Sequence, residues 1–345
     1  MSDSVESRPG AAAGRKRPGG PFRHVGARGV AGIFLVAALV FAAVGAAAGN
    51  VFYLRLGTEA LILSGLAMSV DLLLGYTGLL SLGQAMFFGL GAYASAVLLR
   101  DYHTGFWGAL VLTELLVVPV AVVAGAIAIR ARGVYFILIT FGLAQVIGKV
   151  IYNTRWLGGS DGMVGIPVVH APFGIFRLDL GNPVSFFLLV LAIVAVLYVA
   201  LGYLMNTPFG RTLGAIRSNE SRVRYLGFDP WRYKLAAYVL AGMLAAFSGA
   251  LYPMLRGFVS PELMSFSMSA DAVIMVILGG VGTLIGPIYG SVILIGLKTL
   301  ISGWTEHHQI AIGIIFMLAV IFMPRGLIGL VARRASRVVR PEADQ

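Results

Sequence analysis

The chain has 345 residues, of which 58% are hydrophobic and only 12% charged, and its net charge is +11. A soluble globular chain carries roughly 25% charged residues, so this composition excludes a water-facing fold and makes lipid the solvent. The basic residues sit in tails and loops, which is a pattern of membrane orientation and excludes a nucleic-acid face; the absence of cysteine excludes disulfides, thiolate metal sites and cysteine nucleophiles.

Residues 1–29 are polar, basic and rich in Gly and Pro, and read as a disordered cytoplasmic tail. With the apolar run that follows they look like a signal peptide, but that run is long enough to span and further spans follow it. A spanning helix needs about 20 mostly apolar residues. That places spans near 30–49, 57–75, 79–99, 107–129, 133–152, 184–204, 234–254, 269–285, 287–303 and 308–323. A tight turn over Gly75, Tyr76, Thr77 and Gly78 joins the second to the third, and Gly286-Pro287 joins the eighth to the ninth. If these joints are merged, eight or nine spans remain. The expected fold is therefore an all-α polytopic membrane bundle of about ten transmembrane helices over residues 30–330, followed by a cytoplasmic tail over 331–345.

Cytoplasmic loops carry the excess of Lys and Arg. With the amino end inside, the first tail, the turn at Arg130 and Arg132, the loop 205–234 and the last tail hold 19 of the 26 basic residues. An error of one helix would invert every later loop, so an even number of spans is favoured. Two loops are long: an external one over 153–183 and a cytoplasmic one over 205–234. In the second, Thr207-Pro208 signals a helix start, and Gly210 to Ser218 forms a short helix carrying Arg211 and Arg217. Asn219 caps a second helix with Glu220 in its first turn, Gly227 suits its end, and Pro230 prevents continuation. Two surface helices of this kind present a docking element for a cytoplasmic partner. The bland alternative is a solvated loop that only obeys the charge rule.

Polar residues inside a membrane are costly and mark function by default. Asp71, Ser81, Gln84 and Gln145 are candidates for a translocation path, while Glu114 lies in an apolar run without an evident partner and Asp271 and Lys298 sit near span ends. Gly282, Gly286 and Gly290 recur every four residues, so they line one helix face and let another backbone approach. The sharper reading is that glycine and proline break the helices and bare backbone groups toward a cavity, with Gly282 and Gly286 on the path and Pro287 the best candidate break. Gly159, Ser160 and Asp161 lie in a glycine-flanked external loop and form either a turn or a docking point.

Catalytic constellations are absent. No GxxxxGK[ST] stretch occurs, so the chain has no P-loop of its own. The five histidines show no metal-ligand spacing, and no metal or other cofactor is expected on this chain.

The stretch Glu220-Ser-Arg-Val-Arg-Tyr-Leu-Gly227 resembles the cytoplasmic EAA loop of ABC importer permeases, with Ser221 and Arg222 where two alanines often follow the glutamate. Several further stretches, in order, are similar to the LivM-type permease of branched-chain amino acid importers. They are GYTGLLSLGQAMFFGLGAYASA (75–96), RGVYFILITFGLAQVI (132–147), GGSDGM (158–163), ILGGVGTLIGPIYG (277–290) and MPRGLIGL (323–330). This resemblance implies an importer permease in a bacterial cytoplasmic (inner) membrane, carrying branched-chain or similar small polar amino acids. It implies as partners a second homologous permease chain, two ATPase subunits that hydrolyse the ATP, and an external substrate-binding protein. Gly210, Arg211, Arg217, Glu220 and Gly227 would then couple to the ATPase, and Gly159, Ser160 and Asp161 would meet the binding protein. The same permease type serves importers of urea and other small amides. A rival reading from another class is an ion-coupled secondary transporter or channel that uses Asp71 or Glu114.

Overall fold

A computed structural model describes residues 24–47, 49–173 and 176–303, with a few isolated positions between 310 and 326. The helices are α1 His24–Ala47, α2 Val51–Asp71, α3 Gln84–Arg100, α4 Phe106–Ala128, α5 Val134–Asn153, α6 Pro183–Asn206, α7 Pro208–Ser218, α8 Glu220–Tyr225, α9 Pro230–Arg256, α10 Phe266–Gly279 and α11 Gly286–Ser302. One turn of π-helix, Leu72–Thr77, continues α2 without a gap. Strands are few and short: β1 Met163–Val164 pairs antiparallel with β4 Phe258–Val259, and β2 His170–Phe173 pairs with β3 Phe176–Asp179. The chain is a helical membrane bundle. Among the described residues five stretches are long and apolar enough to cross a membrane: 51–77, α4, α5, α6 and α9.

Burial explains the arrangement. Every residue from Ala60 to Asp71 is buried, polar Ser64, Ser69 and Asp71 included, so this part of α2 is enclosed on all sides at the centre of the bundle, packed by α9, α11, α6 and α10. By contrast α4, α5 and α6 expose Val111, Leu115, Leu138, Val146, Val196 and Val199, as helices facing lipid must. Helices in lipid gain little from apolar burial, and small residues let their backbones touch instead. A Cβ on Gly91 would collide with the Ala246 backbone, and one on Gly249 with the Phe88 backbone, so α3 and α9 meet backbone to backbone. A Cβ on Gly290 would likewise strike the Met275 carbonyl, which fixes α11 on α10.

The observed bounds depart from the expected ones in several places. α2 begins at Val51, ahead of the expected start at 57, and α9 at Pro230, ahead of 234. The first helix begins at His24, inside the tail expected to run to Gly29. Gly75, Tyr76 and Thr77, expected in a tight turn, belong to the π-turn that continues α2, and residues 79–83, expected in the third span, are not helical, so α3 starts only at Gln84. The eighth span ends at Gly279, and the break before α11 is the segment 280–285, not Gly286-Pro287. Pro287 stands in the first turn of α11, where its missing N–H has no partner to lose, so it starts a helix and breaks none. Gly282 therefore lies in this loop and does not share a helix face with Gly286 and Gly290. The tenth expected span, 308–323, lies almost wholly outside the described residues, as do the tails 1–23 and 331–345.

Candidate functional site

Two interrupted helices meet beside the 205–234 loop. The first interruption follows α2. The π-turn Leu72–Thr77 ends on Gly78, whose φ of +75° is open to glycine at no steric cost. Single π-turns inside α-helices recur at functional sites. The second interruption is the 280–285 loop, where Gly280 and Gly282 have φ of +121° and +78°, and Leu284 has +57°. A left-handed backbone at a leucine costs of order 1–3 kcal/mol and persists only where its surroundings impose it.

Asp71 imposes it. Its side chain is fully buried at the last residue of α2. Its Oδ1 accepts the Gly282 N–H at 2.6 Å and its Oδ2 accepts the Leu284 N–H at 3.0 Å. Thr283 completes the loop by donating to the Gly280 carbonyl at 2.8 Å and accepting the Gly286 N–H at 2.9 Å. Hydrogen bonds to an ionised carboxylate are roughly twice as strong as neutral ones, and two of them tie the broken end of α10 to α2. One turn further on, Gly75 is squeezed between these groups: a Cβ there would lie 2.6 Å from both Asp71 Oδ1 and the Gly282 Cα.

The same turn is gripped from the loop side. The Arg217 guanidinium, near the end of α7, donates to the Gly75 carbonyl, and its stem lies against Gly78. A π-turn leaves carbonyls out of the i→i−4 ladder, which frees them for such a donor. Arg217 thus joins the surface helices to both interrupted helices through groups that touch one another in sequence.

The surface helices form as their sequence signals them. Thr207 precedes α7, the Asn219 side chain accepts the Arg222 N–H at 2.9 Å to cap α8, and Gly227 closes α8 with φ of +86°. Pro230 begins α9 directly, with the Asp229 side chain capping it at the Trp231 N–H. Gly210 is buried in the corner after α6, where a Cβ would strike the Met205 backbone. Arg211 is exposed. Glu220 bonds Lys234 at 2.7 Å and faces Arg224 at 3.6 Å, pinning α8 to the start of α9. Partial burial pushes the Glu220 carboxyl up, but the Lys234 hydrogen bond and charge, with Arg132 and Arg224, hold it below the ordinary carboxylate range. Beyond this frame Tyr225 and Leu226 are 90% and 70% exposed, and Phe228 and Trp231 are also exposed, among Arg222, Arg224 and Arg232. Sequence reasoning weighed the charges of this loop and missed its apolar tip. Exposed aromatics clustered on a polar loop were the available signal.

Ser81 is buried and accepts the Gly83 N–H at 3.2 Å, and the Leu82 N–H is taken by Thr140 Oγ1 at 3.3 Å. Gln84 opens α3 fully buried, and neither end of its amide has a hydrogen-bond partner among the described residues. Gln145 lies exposed on α5, away from this cluster. Glu114 has buried carboxyl oxygens without a partner among the described residues, whereas Lys298 and Asp271 bond one another. Gly159, Ser160 and Asp161 form an exposed turn in which Ser160 donates to Asp161 at 3.0 Å. No three His, Asp or Glu side chains gather as a metal site among the described residues.

A family described as the permease component of branched-chain amino acid transport systems matches residues 52–323. The chain is 29% identical over 316 residues to the high-affinity branched-chain amino acid transport system permease protein LivM of Escherichia coli K12, covering 86% of this chain and 74% of that protein. It is 30% identical over 317 residues to the LivM protein of Salmonella typhimurium, with the same coverage. A shorter match, 35% over 153 residues, is to the ribose import permease protein RbsC of Bacillus subtilis, covering 41% of this chain and 45% of that protein. No solved structure matches.

Proposed function

The chain belongs to the permease-component family of branched-chain amino acid transport systems, a family of transport subunits and not enzymes, and we propose that it lines the path of an ATP-driven importer for branched-chain amino acids. In this reading it pairs with a second homologous permease chain, two ATPase subunits and an external binding protein in a bacterial cytoplasmic membrane, with its amino end inside. The loop 205–234 then faces the cytoplasm and docks the ATPase. Tyr225, Leu226, Phe228 and Trp231 supply apolar anchors and Arg222, Arg224 and Arg232 a basic rim, which suits a groove with acidic edges.

One observation carries the proposal: the Arg217 guanidinium on the Gly75 carbonyl. Movement of α7 pulls on the π-turn. Gly75 lies against Asp71 and Gly282, and Asp71 holds the 282–284 backbone. A push from the ATPase therefore reaches both interrupted helices at once. Half-buried breaks of this kind are where transporters place substrate paths and gates, which keeps Ser81, Gln84, Gly282 and Gly286 as path candidates, with Asp71 as the residue that holds the second break together.

The test is reconstitution of the chain with its partner subunits in liposomes, with ATP on the ATPase side and labelled leucine plus binding protein on the other. Arg217→Ala removes a charge-assisted hydrogen bond of about 1.5–3 kcal/mol, so leucine taken up per ATP hydrolysed should fall about tenfold or more while hydrolysis continues. Uptake by the single chain without ATP, driven by an ion gradient and indifferent to Arg217→Ala, would refute the reading. It would favour an ion-coupled transporter built on Glu114, whose buried carboxyl without a partner among the described residues is the observation on that side.

A further inference from the structure

At the end of the bundle far from the 205–234 loop, the ends of α2, α9 and α11 enclose a cavity of about 410 Å³. Its distance from the loop follows from the helices: Arg256 closes α9, which begins at Pro230 beside the loop, and 26 helical rises span about 39 Å. Under the topology proposed above, on which this inference rests, the cavity opens to the outside. Three charged side chains line it. Arg256 bonds Glu59 at 2.5 Å, and Lys298 bonds Asp271, which stands behind the wall on α10. On the same cavity Phe52, Leu56 and Ile295 supply an apolar wall.

We propose that this cavity is an entry subsite for a zwitterionic α-amino acid with an aliphatic side chain. Arg256 and Lys298 are two cationic donors for its carboxylate, Glu59 is the acceptor for its ammonium, and the apolar wall takes the side chain. The match is one of charge balance. Counting Asp271, the four charges sum to zero as two contact ion pairs, so the site suits a solute that is itself neutral and dipolar and can exchange partners with them. A zwitterion exchanges partners with the existing pairs and leaves no charge unmatched. A monoanion or monocation leaves one charge uncompensated, and an uncharged amide or sugar displaces ion pairs without replacing them; a site built on such pairs rejects analogues that leave its polar groups unpaired. The volume falls in the range of small-molecule clefts, which are apolar with a few placed polar groups. The cationic ends are the more exposed, Arg256 at 44% and Lys298 at 34% against 14% for Glu59 and 22% for Asp271, so the carboxylate of an entering solute meets the donors first.

Absence of cysteine from the chain makes a direct test available. Thr299 lines the cavity on α11, and Thr299→Cys places the sole thiol of this chain there. The complete complex carrying it is put in vesicles, a charged thiol reagent is added from outside, and labelling of this chain is followed by mass. L-leucine at ten times its dissociation constant should slow labelling about tenfold. L-leucinamide, which lacks the carboxylate, 4-methylpentanoate, which lacks the ammonium, and urea should leave the rate unchanged. Glu59→Gln and Arg256→Gln should each abolish protection, and Arg256→Lys should restore it. Equal protection by all four solutes, or none by leucine, overturns the subsite, and these readings need no charge variant to fold. ATP-driven leucine uptake by the unmutated complex is measured in parallel. Uptake without protection removes the subsite alone, whereas protection without ATP-driven uptake removes the importer reading and leaves the subsite standing.

Discussion

The two interruptions in the bundle solve one problem with different chemistry. At 78–83 the freed backbone is held by hydroxyls: Ser81 takes the Gly83 N–H, Thr140 takes the Leu82 N–H, and Ser269 donates to the Leu82 carbonyl at 2.7 Å. At 280–285 it is held by a carboxylate, with both oxygens of Asp71 on backbone N–H groups. Neutral hydrogen bonds contribute about 1 kcal/mol each and charged ones about 1.5–3. The hydroxyl joint is therefore the softer of the two, and it is also the one that ends in the Gln84 amide, which has no partner among the described residues. The carboxylate joint is the stiffer, and it is the one fastened through Gly75 to Arg217. In the importer proposed above, the stiff joint would lie on the side of the surface loop and the yielding one on the other.

Breaking the stiff joint should have the largest effect. Asp71→Ala leaves two buried N–H groups unpaired at about 1–3 kcal/mol each and releases the strained Leu284, so the purified complex should lose thermal stability steeply. Asp71→Asn keeps one acceptor and turns an NH2 toward the other donor, and should lose about half as much. Equal melting temperatures for Asp71→Asn and the unmutated protein would show that the carboxylate charge does nothing there. Thr140→Val removes one neutral acceptor from the soft joint, at a cost of about 1 kcal/mol, and should lower the melting temperature by far less than either change at Asp71. A larger drop than for Asp71→Asn would reverse the ranking of the joints. Gln84→Met replaces an amide that lacks partners by an apolar side chain of similar length, and relief of the desolvation penalty should raise the melting temperature slightly. A loss of stability would mean that the Gln84 amide is bonded in the assembled complex.

Much of this was legible in the sequence, for physical reasons that can be assigned residue by residue. The spans α4, α5 and α6 are apolar runs with lipid on one side, so their ends fell within two residues of expectation. The surface helices were legible because Thr207, Asn219 and Gly227 act locally, through their own backbone. The stiff joint was not. Asp71 was visible as an expensive carboxylate, but its partners are backbone N–H groups 211 and 213 residues away, which leave no side-chain signature. The acceptor of Arg217 is a carbonyl, equally silent. Pro287 misled because proline reads as a breaker from either side of a helix start, and only the direction of the chain settles which.

The glycine contacts between α3 and α9 have a mechanical consequence. With Gly91 against the Ala246 backbone and Gly249 against the Phe88 backbone, neither helix can slide along the other without driving a Cβ into a peptide plane. The two move as one beam. That beam begins at Pro230, next to the 205–234 loop, and carries Arg256 at its far tip. A displacement at Pro230 is therefore carried to Arg256, about 39 Å away, without a yielding joint between them.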